Sequence, residues 1–125
     1  MGDLRQVAVT KLATVMGIDM NAVAATVLFP VPIGKYCVIT HIVIRGASIA
    51  LNTADFGFGY GAGETDVIGH AVLGSGLTTT SKFRKLEPDD GAEVGQPDAD
   101  VLSIGVDVAQ GAEATMNVDV FGFLF

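Results

Sequence analysis

A chain of 125 residues with seven Lys and Arg against fourteen Asp and Glu, a net charge of −7, is one domain's worth of acidic polypeptide. That balance speaks against nucleic-acid binding, whose affinity comes from neutralising phosphates, and against docking on an anionic membrane surface. Half of the residues are apolar, yet no run approaches the roughly 20 residues a membrane-spanning helix needs. Cys37 is the only cysteine, so packing and association between chains have to supply stability.

The start, Met1-Gly2-Asp3-Leu4-Arg5, lacks the basic-then-apolar layout of a secretory signal, so the chain is expected to be made in the cytoplasm. Leu4, Val7, Val9, Leu12, Val15 and Met16 fit neither a clean period of 2 nor one of 3.6. Two readings follow. Residues 1–23 form an extended N-terminal arm that packs on a neighbouring subunit, or they hold an ordinary first strand or short helix of the domain in 24–125.

From Ala24 the pattern firms. Val27, Leu28 and Phe29 make a short buried strand that Pro30 ends, because proline cannot donate to a ladder. Pro32 and Gly34 then mark a turn, with Gly34 free to take a positive φ. Lys35 to Arg45 is the longest β pattern in the chain. Strict alternation puts Val38, Thr40, Ile42 and Ile44 on one face and Cys37, Ile39, His41 and Val43 on the other. Both faces are largely apolar, which predicts a central strand covered on both sides. Cys37 reads as a small buried hydrophobe.

Gly46 breaks the pattern, and Phe56, Phe58 and Tyr60 then alternate with Gly57 and Gly59. Glycine opposite each aromatic predicts a face where another backbone or a ring comes close. A short strand spans Val67 to Val72, and a more polar one runs from Thr78 to Leu86 with Phe83 as its main apolar anchor. Pro88-Asp89-Asp90-Gly91 is a turn by composition. The stretch 87–100 carries Glu87, Asp89, Asp90, Glu93, Asp98 and Asp100, hard oxygen donors of the kind calcium takes, though not in EF-hand order. Val101 to Val108 alternates with Leu102, Ile104, Val106 and Val108 inward. Ala114 to Phe125 sets Met116, Val118, Val120 and Gly122 opposite Asn117, Asp119, Phe121 and Phe123. An end reading Phe-Leu-Phe is expected to be docked in a core or an interface. Roughly seven or eight short strands with Gly, Pro and Asp turns point to an all-β, antiparallel β-sandwich, jelly-roll-like first and immunoglobulin-like second.

No catalytic constellation emerges. Gly57-x-Gly59-x-Gly61-x-Gly63 has glycine content without phosphate-loop spacing. His41 and His70 have no metal-ligand partners nearby in sequence, and Ser75 in LGSGL lacks the nucleophile-elbow spacing. The reading is therefore of a chain that is not an enzyme, with no cofactor and no metal.

Leu28-Phe29-x-Val31-Pro32-x-Gly34-Lys35, Ile42-Val43-Ile44-Arg45, Asp55-Phe56-Gly57-Phe58-Gly59 and Val118 to Phe125 together resemble a family of small tailed-phage and prophage virion proteins. The likeness spans the chain from Ala24 onward and is greatest to capsid decoration, or cement, proteins. It implies a jelly-roll-like β domain on the virion surface, with the major capsid protein and copies of itself, a trimer first, as partners. It brings no catalytic residues. The expected oligomer or capsid interface is Leu4, Val7, Val9 and Leu12 from the arm, Phe56, Phe58 and Tyr60, and Phe121, Phe123 and Phe125. An alternative is the head domain of a tail fibre or spike binding a host receptor, with Phe56, Phe58 and Tyr60 exposed at one end.

Overall fold

The computed structural model describes residues 9–61, 64–77, 82–89 and 100–125. They form eight strands: β1 Thr10–Asp19, β2 Ala25–Pro30, β3 Cys37–Arg45, β4 Asp55–Gly59, β5 Ile68–Ala71, β6 Phe83–Leu86, β7 Val101–Val108 and β8 Thr115–Leu124. Two four-stranded sheets result, ordered β1-β8-β3-β6 and β2-β7-β4-β5, and every pairing is antiparallel. The first strand pairs the last, the second the seventh, the third the sixth and the fourth the fifth. The chain is thus one long hairpin, bent at β4–β5 and rolled so that consecutive strand pairs fall in alternate sheets. That is the jelly-roll topology, and it fits the expected antiparallel sandwich.

The core lies between the sheets. Ile39, Ile42, Ile44, Met116, Val118 and Val120 face Leu28, Phe56, Phe58, Leu102, Ile104 and Val106, all buried, each worth roughly 1.5–3 kcal/mol when fully enclosed. Phe56 and Phe58 meet edge to face, with centroids 6.0 Å apart. Cys37 is buried, as its neighbours predicted. The turn after Pro30 also forms as expected: Lys35 N–H donates to the Pro32 carbonyl at 3.1 Å, and Gly34 has φ +77°.

Four expectations are corrected, three of them by β-bulges. First, β1 is a strand of the domain, paired with β8 from Thr10 to Asp19. The domain therefore begins inside the segment expected as an arm, whose residues 1–8 lie outside the described residues. Register shifts at Lys11/Ala13 and at Val15/Ile18 explain why residues here fit no single period. Second, β3 does not alternate strictly: a shift between Ile39 and His41 turns Cys37 and Ile39 inward on one side of it and Ile42 and Ile44 inward on the other. Third, Val108 is exposed because Asp107 is an extra residue on β7, between Val106 opposite Phe56 and Val108 opposite Asp55. Fourth, Phe83 is no anchor. It sits opposite Arg45 and is 71% exposed, whereas Leu86, opposite inward-facing Ile42, carries the burial.

Phe58→Ala is expected to cost about 3–5 kcal/mol of unfolding free energy and Phe83→Ala no more than about 0.5. Urea denaturation of both variants checks this, and equal small losses would sink the assignment of Phe58 to the core.

Candidate functional site

Alternation along β8 points Asn117, Asp119, Phe121 and Phe123 away from the core. The register sets Phe121 between Lys11 and His41, Asp119 between Thr14 and Val43, and Phe123 beside Val38. The outer face of the β1-β8-β3-β6 sheet therefore carries a row of rings. His41 stacks on Phe121 with centroids 4.5 Å apart and planes 8° from parallel. Phe123 meets Phe125 at 6.1 Å, and Phe125 stacks on Tyr36 at 5.6 Å. Tyr36 and Phe125 exchange both backbone hydrogen bonds, at 2.8 and 3.0 Å, so the chain end is held by strand-like pairing and not in the core. Tyr36 and Phe125 remain 50% and 55% exposed.

An ion pair with Asp119 buried and Arg45 partly exposed lies beside this row. Asp119 accepts from Arg45 Nε at 2.7 Å and Arg45 Nη2 at 3.2 Å, and from Thr14 Oγ1 at 2.7 Å. Forked pairing of this kind is the strongest form of side-chain hydrogen bond. The Arg45 hydrogen bond holds the Asp119 carboxyl below the usual carboxylate range, against the opposing effect of burial, and Thr14 adds to the lowering. Burial pushes the His41 imidazole down, and the Lys85 charge adds to it. Lys11, Arg45 and Lys85 lie on this face, with Arg45 paired to Asp119 and Lys85 Nζ 3.4 Å from Glu87.

Of the expected interface residues, the structure brings Phe121, Phe123 and Phe125 together on this face. Val9 is exposed just before β1, and Leu12 is half-buried against the core. Leu4 and Val7 lie outside the described residues. Phe56 and Phe58 are corrected: both are wholly enclosed in the core. Gly57 and Gly59 take the outward positions of β4, so its large side chains all turn inward. Tyr60 is half-buried, its hydroxyl 3.8 Å from Cys37 Sγ, and burial raises its pKa. The acidic stretch 87–100, weighed above as a source of calcium ligands, lies largely outside the described residues. Within it, Asp89 Oδ2 accepts from the Gly69 amide at 2.8 Å.

Sequence reasoning missed Tyr36, His41, Arg45 and Asp119 as neighbours of the aromatic row, since only cross-strand register places them there. It also missed a second grouping on the outer face of the other sheet. Gly57 and Gly105 are direct partners there. A Cβ on Gly57 would stand 2.5 Å from His70 Cδ2, and one on Gly105 2.5 Å from Glu64 Oε2. The paired glycines thus form a trough in which the His70 ring and the Glu64 carboxylate lie. Asp55 and Asp107 stand beside His70.

No family model and no curated protein matches the chain. Among solved structures, a chain of the cyanophage Pam1 capsid asymmetric unit is similar in fold, with a TM-score of 0.54 and 14% identity over 94% of this chain and 84% of that one. The class this defines is a jelly-roll β-sandwich that shares its fold with a chain of a phage capsid.

Because the folded pKa of Asp119 lies below its unfolded value, the ion pair contributes stability above pH about 4 and loses it as pH falls through the depressed value. Asp119→Asn is expected to cost about 1–2 kcal/mol at pH 7, between exposed-pair and buried-pair values. The gap to wild type should close below pH about 4, as read from urea denaturation across pH.

Proposed function

We propose that this chain is a phage structural protein that decorates the capsid: a non-enzymatic cement protein that oligomerises on the head surface and stabilises the lattice. The observation that carries the reading is the aromatic row of Tyr36, Phe121, Phe123 and Phe125 on one sheet of a jelly roll. Contiguous exposed apolar surface marks interaction sites on soluble proteins. The fold likeness to a chain of a phage capsid asymmetric unit and the sequence resemblance to small virion proteins support the same reading.

In this proposal the row faces the major capsid protein or a second copy of the chain, in a closed arrangement of which a trimer suits local threefold axes. Binding only the assembled shell stabilises it by mass action. The protein would be made in the host cytoplasm and reside on the virion surface. The fibre-tip alternative loses two of the three aromatic residues it would expose, since Phe56 and Phe58 are enclosed and Tyr60 is half-buried.

Phe121→Ser with Phe123→Ser in the full chain is expected to weaken binding to purified capsids by at least about tenfold, as loss of an aromatic hot spot does, while the unfolding midpoint shifts little. Co-sedimentation with capsids reads the first and urea denaturation the second. Undiminished binding would rule this face out. A native particle gel in which the chain's band falls far below that of the major capsid protein would rule out decoration.

A further inference from the structure

The outer face of the β2-β7-β4-β5 sheet carries a cluster that the capsid reading does not use. One ring nitrogen of His70 and one carboxylate oxygen from each of Asp55 and Asp107 lie within 4.8 Å of one another. They come from three different strands, β5, β4 and β7. Two bulges bring them together. Asp107 is the extra residue of β7, with no partner on β4. His70 lies where β5 carries two residues between the partners of Phe56 and Phe58 while β4 carries one, Gly57. Bulges re-aim side chains, and here both aim at the same spot.

Two atoms of the cluster are buried without a hydrogen-bond partner, Asp55 Oδ1 and His70 Nε2. Leaving a buried acceptor unmade costs about 1–3 kcal/mol, more when charged, so each unpaired group calls for an explanation. The two residues that carry these atoms sit together and beside a third ligand-type side chain, Asp107. His70, Asp107 and Glu64 also line one cavity of about 220 Å³ open to solvent, with Gly105 in its wall. The site thus has donors on one side and room for water, or for the Glu64 carboxylate, on the other. The absence of a Cβ at Gly57 and Gly105 is what lets His70 and Glu64 lie flat on the sheet.

We propose that Asp55, His70 and Asp107 form a binding site for one divalent first-row transition ion of the Zn²⁺ type. A neutral imidazole with carboxylates suits such ions, and three protein ligands with an open position is a familiar zinc arrangement. Calcium and magnesium are disfavoured because they take oxygen donors and the central donor here is nitrogen. An ion would satisfy both orphaned atoms at once and would tie the β4–β5 hairpin to β7. Ligand oxygens and nitrogens spread over 4.8 Å need only small side-chain rotations to reach the ~2.0–2.2 Å bond lengths of zinc.

The test titrates the full chain, stripped with chelator, with Zn²⁺, Co²⁺, Ca²⁺ and Mg²⁺ by calorimetry, and follows Co²⁺ by its visible absorption. One saturable Zn²⁺ site is expected, with a Co²⁺ spectrum of bound nitrogen and oxygen ligands and a higher melting temperature, as follows when a ligand binds only the folded state. His70→Ala and Asp107→Asn should each weaken Zn²⁺ by at least about tenfold, the scale seen when even the support of a metal ligand is lost. Asp107 is exposed, so Asp107→Asn keeps the test decisive if His70→Ala fails to fold. Absence of saturable Zn²⁺ binding overturns the proposal. So does Zn²⁺ affinity unchanged in Asp107→Asn, which would place the ion on scattered surface carboxylates. Tighter binding of Ca²⁺ or Mg²⁺ than of Zn²⁺ overturns it as well.

Discussion

The constraint on which the structure depends is nested strand pairing. Each strand of the first half pairs with its counterpart counted back from the end, and the ribbon of pairs is rolled into two sheets. No strand finds its full set of partners locally except β5, the edge strand that pairs with β4 at the bend. The last strand must reach the middle of its sheet, between β1 and β3. Non-local pairing of this kind forms slowly because loop-closure entropy precedes the reward. In return, it brings residues far apart in sequence into fixed register on two outer faces. The aromatic row and the His70 trough are both products of that register.

Much of the fold was legible. Period-2 alternation in 101–106 and 115–124, the proline stop at Pro30 and the turn at Gly34 are local signals with local causes, and they read correctly. The misread faces of β1, β3 and β7 share one physical reason. The side-chain period of a strand is two, so a single inserted residue exchanges its faces. Thr40 in β3 and Asp107 in β7 each absorb such an insertion, and neither is marked by glycine or proline. Thr40 is held by its hydroxyl, which donates to the Phe121 carbonyl at 3.3 Å and lies 3.1 Å from His41 Nδ1. Phe121 lies on another strand, so no local window of sequence contains that partner. Of the candidate site, the C-terminal phenylalanines were visible as an apolar end. Their neighbours Tyr36 and His41 were not, because only the β3–β8 register supplies them.

The two outer faces differ in chemistry. One presents rings together with Lys11, Arg45 and Lys85. The other presents Glu64, Asp107 and the His70 trough. On the first face Arg45 is paired with Asp119 and Lys85 with Glu87, so the rings stand beside charges that are already matched.

The Arg45–Asp119 pair bears on what such a partner must provide. Covering the aromatic row takes nearby charges further out of water, and an unpaired charge there would oppose docking by several kcal/mol. Asp119 is already satisfied by two Arg45 nitrogens and the Thr14 hydroxyl, and its lowered pKa keeps it ionised at neutral pH. The pair is therefore neutral overall and internally hydrogen-bonded before any partner arrives. As water leaves, the effective dielectric around it falls and the attraction within the pair grows, offsetting part of the desolvation it suffers. A partner need supply only shape and apolar surface over Phe121 and Phe123, with no counter-charge aimed at Asp119. That is the physical sense in which this face would suit the covering that the proposed function asks of it.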